Sequence, residues 1–207
     1  MIGMFKAVAF IIAWFVVMTK TALAHHLMGG VMPSTFAQGL LSGLGHPVIG
    51  IEHLAAVVAI GCLAATYRAG AWLTVAFVLA MMAGVGLHVR GTNFPGGEFV
   101  VAASVVVLGG LLLSRWRPSA DVALLLFAAV GVIHGYALGE SIAGAEPAPL
   151  AAYFAGLAAI QIVIANTAML FTRSALRKVP SESLSLYLVG VAVAGVGLVF
   201  MAQKILA

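Results

Sequence analysis

The run ADVALLLFAAVGVIHGYALG, residues 120–139, is twenty residues long, with one acidic side chain at its start, Asp121, and one histidine near its end, His134. At about 1.5 Å per residue such a helix covers about 30 Å, the thickness of a bilayer's hydrocarbon core. It reads as a transmembrane helix. Five more runs read the same way: Pro47 to Thr66, Ala71 to His88, Phe99 to Leu113, Leu150 to Phe171 and Leu184 to Ala202. The third is short and is expected to borrow from its flanks. The expected fold class is therefore all-α, a polytopic membrane protein of about six transmembrane helices. A short helix over Ser34 to Gly43 is expected to lie at the interface before the first span, with Gly39 and Gly43 spaced for close packing.

Composition supports this reading. Of 207 residues, 63% are apolar, 8% are charged and 24 are glycine, whereas a soluble domain carries about 25% charged residues. A globular cytosolic protein is excluded. No basic run exceeds two residues, so nucleic acid is not an expected partner and the lipid bilayer is. The single cysteine, Cys62, rules out an internal disulfide and a thiolate-rich metal site. No Gly-x-x-x-x-Gly-Lys-Ser/Thr loop is present, so nucleotide is not hydrolysed by that route.

Residues 1–24 follow the pattern of a secretory signal peptide: Lys6, an apolar core from Ala7 to Met18, then Ala22-Leu23-Ala24 before the expected cleavage point. Residues 25–207 then form a single transmembrane domain. Loss of Lys6 and Lys20 lowers the net charge from +4 to +2. A cleaved signal places the N-terminus outside the cytoplasmic (inner) membrane, and six spans return the C-terminus to the same side. The loop charges agree. The three loops expected to face the cytoplasm hold Arg68, then Arg115 and Arg117, then Arg173, Arg177 and Lys178, whereas the outer segments hold Arg90 and Lys204. Six against two follows the positive-inside rule.

This orientation puts all six histidines in the outer half, together with Glu52, Glu98, Glu140 and Glu146. His25 and His26 fall in the outer tail, where they read either as ligands or as solvated residues. His46 opens span one, His53 follows seven residues later, and His88 ends span two. At 100° per residue, His46 and His53 share a helix face to within about 20°. Pro47 suits the first helical turn. Glu52 is a functional candidate because a charge inside a span costs about 3 kcal/mol on insertion scales. His134 lies beside the stripe Gly131, Gly135, Gly139, which permits close helix contact. His88 reads more readily as a packing residue, and Gln161 and Asn166 as interhelical glue or as lining of a continuing path.

Imidazole and carboxylate without thiolate suit divalent nickel, cobalt, zinc or iron. The candidate metal ligands are His46, Glu52, His53, His134 and Glu140, with His25, His26, His88 and Glu146 as secondary candidates. No catalytic residue and no tightly bound cofactor are expected, since the metal would be cargo.

His46-Pro-x-x-Gly-x-Glu52-His53 resembles the His-Pro-x-x-Gly-x-Asp-His motif of the HupE/UreJ family of small nickel and cobalt permeases linked to hydrogenase and urease maturation. Here Glu stands where Asp is usual. The family's second motif, His-Gly-x-Ala/Val-x-Gly-x-Glu, is similar to His134-Gly135-Tyr136-Ala137-Leu138-Gly139-Glu140. In this chain the Glu follows the glycine directly, which leaves Glu146 as a substitute for Glu140. The resemblance implies a non-enzymatic permease for Ni2+ or Co2+. It also implies a metallochaperone or metalloenzyme maturation system as partner, and a homo-oligomer stays open. Two other readings use the same residues: an intramembrane zinc hydrolase with Glu52 activating water, and a haem carrier with His53 and His134 as axial ligands.

Overall fold

A computed structural model describes residues 31–114, 116–178 and 182–206 of the chain. The expected signal peptide, His25 and His26 lie outside the described residues. Within them the protein is all-α, with helices α1 (Phe36–Ile49), α2 (Ile51–Ala64), α3 (Gly70–Val89), α4 (Gly97–Leu113), α5 (Ala120–Gly139), α6 (Pro147–Lys178) and α7 (Glu182–Leu206). A single 3-10 turn, Glu140–Ile142, follows α5. Helices α3, α5, α6 and α7 are each long and apolar enough to cross a bilayer. Their outward faces stay apolar, with Leu79, Leu125, Val163 and Leu198 exposed, as lipid contact requires. This is a multi-pass membrane protein.

The first span departs from expectation. Pro47 to Thr66 is not one straight helix, and Ser34 to Gly43 is not a separate interfacial one. Residues 36–49 and 51–64 form two helices bent by 78° at Gly50, and they pass as a membrane span only together. Thr35 starts α1 by accepting the Gln38 N–H through its side chain. Contacts along α6 show that the two halves make one crossing. Gly39 abuts Pro149, Gly43 abuts Tyr153, and Gly61 abuts Ala165. Beyond them the Thr172 hydroxyl reaches the Cys62 sulfur, and Arg173 reaches the Ala65 carbonyl. The contacts advance steadily along α6, whereas a re-entrant loop would turn back. Helix α4 has 17 residues, about 25 Å. It lies antiparallel to α7 along its length, with Gly109 on Ala194, Gly197 on Val106 and Gly190 on Leu113. With the broken span, the candidate membrane crossings among the described residues number five, and α4 stands beside them as a shorter apolar helix.

The bundle has two chemically distinct ends. At one, Arg173 donates to the Tyr67 carbonyl (2.9 Å), the Tyr67 hydroxyl donates to the Pro118 carbonyl (2.9 Å), and Arg117 binds the Leu111 and Ser114 carbonyls at the end of α4. Exposed Trp72 and Trp116 sit at this end, where an aromatic belt is expected. At the other end, the Tyr136 hydroxyl accepts the Phe94 N–H (2.9 Å) and donates to the Thr92 carbonyl (2.6 Å), and Lys204 pairs with Glu98.

Glycine contacts reveal an internal repeat. On α1, Gly39 and Gly43 press on the carbonyls of Pro149 and Tyr153; on α5, Gly131 and Gly135 press on those of Phe77 and Met81. The return contacts match: Gly156 of α6 meets Leu40 and Leu44, and Gly84 of α3 meets Val132 and Tyr136. Each α1 residue corresponds to one 92 positions later on α5, and each α6 residue to one 72 positions earlier on α3. Helices α1 and α6 run from the His-rich end toward the Arg-rich end, whereas α3 and α5 run the other way. The two halves therefore form an inverted repeat of the kind common among transporters, with α2 added to the first half.

Candidate functional site

The break in the first span builds the site. Helix α1 closes with the Gly50 N–H bonded to the His46 carbonyl (2.9 Å), and α2 opens with the Leu54 N–H bonded to the Gly50 carbonyl (2.9 Å). Gly50 itself is extended, at φ −73° and ψ 94°. Pro47 therefore lies near the end of α1 and not in the first turn of a helix. It removes a donor where the helix is about to stop. His46 ends one helix and His53 starts the next, so they do not share a face of one continuous helix. They meet across the bend, with ring centroids 6.3 Å apart and planes at 80°.

His53 Nδ1 lies 2.9 Å from His134 Nδ1 on α5, 81 residues away in sequence. Their rings are edge to face, with centroids 5.1 Å apart. A neutral imidazole carries one N–H, so one of the facing Nδ1 atoms donates and the other accepts. The second nitrogen of His134, Nε2, lies 2.8 Å from the Ser104 hydroxyl on α4, and that hydroxyl is 2.7 Å from the Val101 carbonyl. His46 Nδ1 lies 2.9 Å from the Ser141 hydroxyl and 3.5 Å from the Tyr153 hydroxyl, which donates to the Leu138 carbonyl (2.8 Å). Glu52 is in the first turn of α2, where the helix dipole favours a negative charge. Its Oε1 stands 3.8 Å from His53 Nε2, on the ring edge away from His134. His134 is fully buried, and His46 and His53 are nearly so.

Four of the expected ligands are thus gathered around one bend: His46, Glu52, His53 and His134. The others are not. Glu140 opens the 3-10 turn and points to the exterior, and Glu146 is exposed just before α6, where its carbonyl caps the Leu150 N–H. The second motif delivers Ser141 to the cluster instead of Glu140. His88 packs its ring on Tyr136 at 4.6 Å, with Nδ1 buried and no hydrogen-bond partner. Among the described residues no group of three or more His, Cys, Asp or Glu converges well enough to hold a metal ion as it stands. The cluster consists of a histidine pair, a carboxylate behind it and a third histidine one ring away. Sequence reading missed Ser104, Ser141 and Tyr153. For Ser104 the signal was present, since it is the one hydroxyl within the apolar run Phe99 to Leu113.

These elements define a polytopic helical membrane protein with an inverted repeat and a buried histidine cluster at a broken span. Comparison with known proteins gives the family. The chain belongs to the HupE / UreJ protein family, which it matches over residues 13–200. Protein HupE of Rhizobium leguminosarum bv. viciae is 30% identical to it over 148 residues, a stretch that covers 70% of this chain and 76% of that protein. No solved structure matches it.

Proposed function

We propose that this protein is a permease of the cytoplasmic membrane that takes up a divalent transition metal, nickel or cobalt, through His46, Glu52, His53 and His134. The ion is cargo, captured from the His-rich end, which faces outward, and passed toward the Arg-rich cytoplasmic end. The positive-inside rule supports that orientation, and the family's association with nickel-dependent hydrogenase and urease maturation supports the choice of metal.

One observation carries the reading: the 2.9 Å approach of His53 Nδ1 to His134 Nδ1. Two nitrogens about 2.1 Å from a shared ion in adjacent coordination positions stand about 3 Å apart. Each neutral ring keeps one N–H when it binds the ion, so the proton now between the two Nδ1 atoms moves to the far nitrogen of its own ring, which for His53 is Nε2, facing Glu52. Trans axial ligands of a haem would stand about 4 Å apart across the porphyrin, and the pair is closer than that. His46 completes the shell when the bend at Gly50 brings its ring inward. Glu52 supplies charge compensation and orients His53 from behind. Nickel and cobalt uptake by cells carrying His46→Ala, His53→Ala or His134→Ala tests the reading. Loss of uptake in each supports it, and undiminished uptake in all three overturns it.

A further inference from the structure

Gln161 lies in the middle of α6, is completely buried, and has no hydrogen-bond partner at either side-chain polar atom. Burying an amide without hydrogen bonds costs a few kcal/mol. Polar residues retained for helix association bond across the interface, and Gln161 bonds to nothing there. Asn166, five residues on, makes the contrast, since its amide is satisfied by the Ile162 carbonyl of its own helix (2.9 Å). A leucine at 161 would fill the same volume without the penalty, so packing alone gives no reason for an amide.

Its position supplies the reason. Tyr153, Leu157, Gln161 and Ala165 recur every four residues and are all buried, so they form one stripe of α6. The upper member, Tyr153, meets Gly43 with its carbonyl and approaches His46 with its hydroxyl; the lower member, Ala165, meets Gly61 of α2. Gln161 therefore faces the broken span between the histidine cluster and the Arg-rich end, about 12 Å along α6 from Tyr153 and about 18 Å short of Arg173. In the inverted repeat its counterpart, 72 residues earlier, is the apolar Val89, so the amide is a departure that this half alone carries.

We propose that Gln161 is a second station for the transported cation, receiving it from the histidine cluster through its amide oxygen and binding the ion's remaining water through its amide N–H groups. A neutral oxygen donor suits this place. Conduction needs a site attractive enough to enter and weak enough to leave, and a second imidazole or carboxylate would hold the ion. This inference rests on the permease reading above.

The test uses the full-length protein in liposomes containing a metal-sensitive dye, with Ni2+ or Co2+ outside, alongside equilibrium Ni2+ binding and thermal unfolding in detergent. Gln161→Leu is expected to slow uptake by roughly tenfold or more. Its Ni2+ affinity should stay within about twofold of wild type and its Tm should be unchanged or higher. Gln161→Asn, which keeps the amide but draws it back by one methylene, should recover part of the rate. Wild-type uptake by Gln161→Leu overturns the proposal, as does a fall in its Tm that matches the loss of uptake. If the wild-type protein takes up neither ion, the permease reading itself fails and this inference falls with it. If wild type transports and Gln161→Leu transports equally well, only the second station is lost.

Discussion

Gly50 and His53 are packed so closely that a methyl group on Gly50 would stand 2.8 Å from Cδ2 of the His53 ring. The same methyl would lie 3.3 Å from the His46 carbonyl oxygen. The backbone at Gly50 has negative φ, so any residue can adopt its conformation and the constraint is contact alone. Gly50→Ala therefore pushes the His53 ring away from His134 without straining the chain. Replacing glycine also stiffens the unfolded chain, which offsets part of the crowding, so the net stability change should stay within about 1 kcal/mol. Equilibrium Ni2+ binding is expected to weaken by roughly 10- to 100-fold, the usual cost of misplacing a ligand ring. Unchanged affinity would show that the His53 position does not matter to the ion.

Ser104 holds the far nitrogen of His134 and so fixes which way that ring faces. Ser104→Ala leaves Nε2 of a fully buried histidine without this partner, at a cost of about 1–3 kcal/mol. The ring is then free to turn, and Ni2+ affinity should fall by about tenfold or more. Calorimetric titration of wild type and variant checks this, and an X-ray absorption spectrum of the nickel-loaded protein should show fewer imidazole neighbours in the variant. A variant that binds with wild-type affinity and an identical spectrum would mean that His134 is held by packing alone.

Glu52 stands where the family motif has aspartate, and its carboxylate lies behind His53 rather than between the histidines. Glu52→Gln keeps the shape and removes the charge. If the carboxylate compensates the ion, nickel and cobalt uptake both drop by roughly tenfold or more in the Gln variant. Glu52→Asp keeps the charge and draws it back by about 1.5 Å, so it should transport while shifting the preference between the two metals. Competitive uptake from mixtures of Ni2+ and Co2+ measures both effects, and full activity in Glu52→Gln would remove the carboxylate from the mechanism.

Helix type and position were legible in the sequence because lipid demands long apolar runs. Span four was read as residues 120–139, which is α5 as observed. The break at Gly50 was not legible, since a glycine after a proline in an apolar run is equally compatible with a straight helix. The bend depends on what α6 presents to it. His46 and His53 were paired by a helical periodicity that the bend abolishes, yet the bend brings them together by another route. Glu140 was drawn in by its place in a motif, but the 3-10 turn after Gly139 rotates it outward and puts Ser141 in its place. The sequence permits an inverted repeat, since spans one to three and four to six run in opposite orientations and each half is led by a His and Glu motif, but no residue-level likeness shows it, because the halves share glycine spacing and little else. Gly39 with Gly43 and Gly131 with Gly135 correspond only once their contacts are known.

That correspondence makes a packing prediction that the chain can fail. A methyl on Gly135 would run into the Met81 carbonyl, and one on Gly43 into the Tyr153 carbonyl. Backbone cannot yield as a side chain can, so Gly135→Ala must separate α3 from α5, and Gly43→Ala must separate α1 from α6. Overpacking of this kind costs about 1–3 kcal/mol. Because the two contacts are copies of one another, the losses in Tm should be similar. Gly86 on α3 has nothing within 4 Å of where its methyl would be, so Gly86→Ala should leave Tm unchanged or slightly raised. The functional consequences should differ between the two destabilised variants. Gly43→Ala displaces α1, which carries His46, from Tyr153, and Gly135→Ala shifts α5, which carries His134. Both should therefore weaken Ni2+ binding, with the larger loss in Gly135→Ala because His134 belongs to the closest histidine pair. Thermal unfolding and Ni2+ titration of the three variants decide it. A Gly135→Ala protein as stable as Gly86→Ala would mean that α3 and α5 are not in the register described.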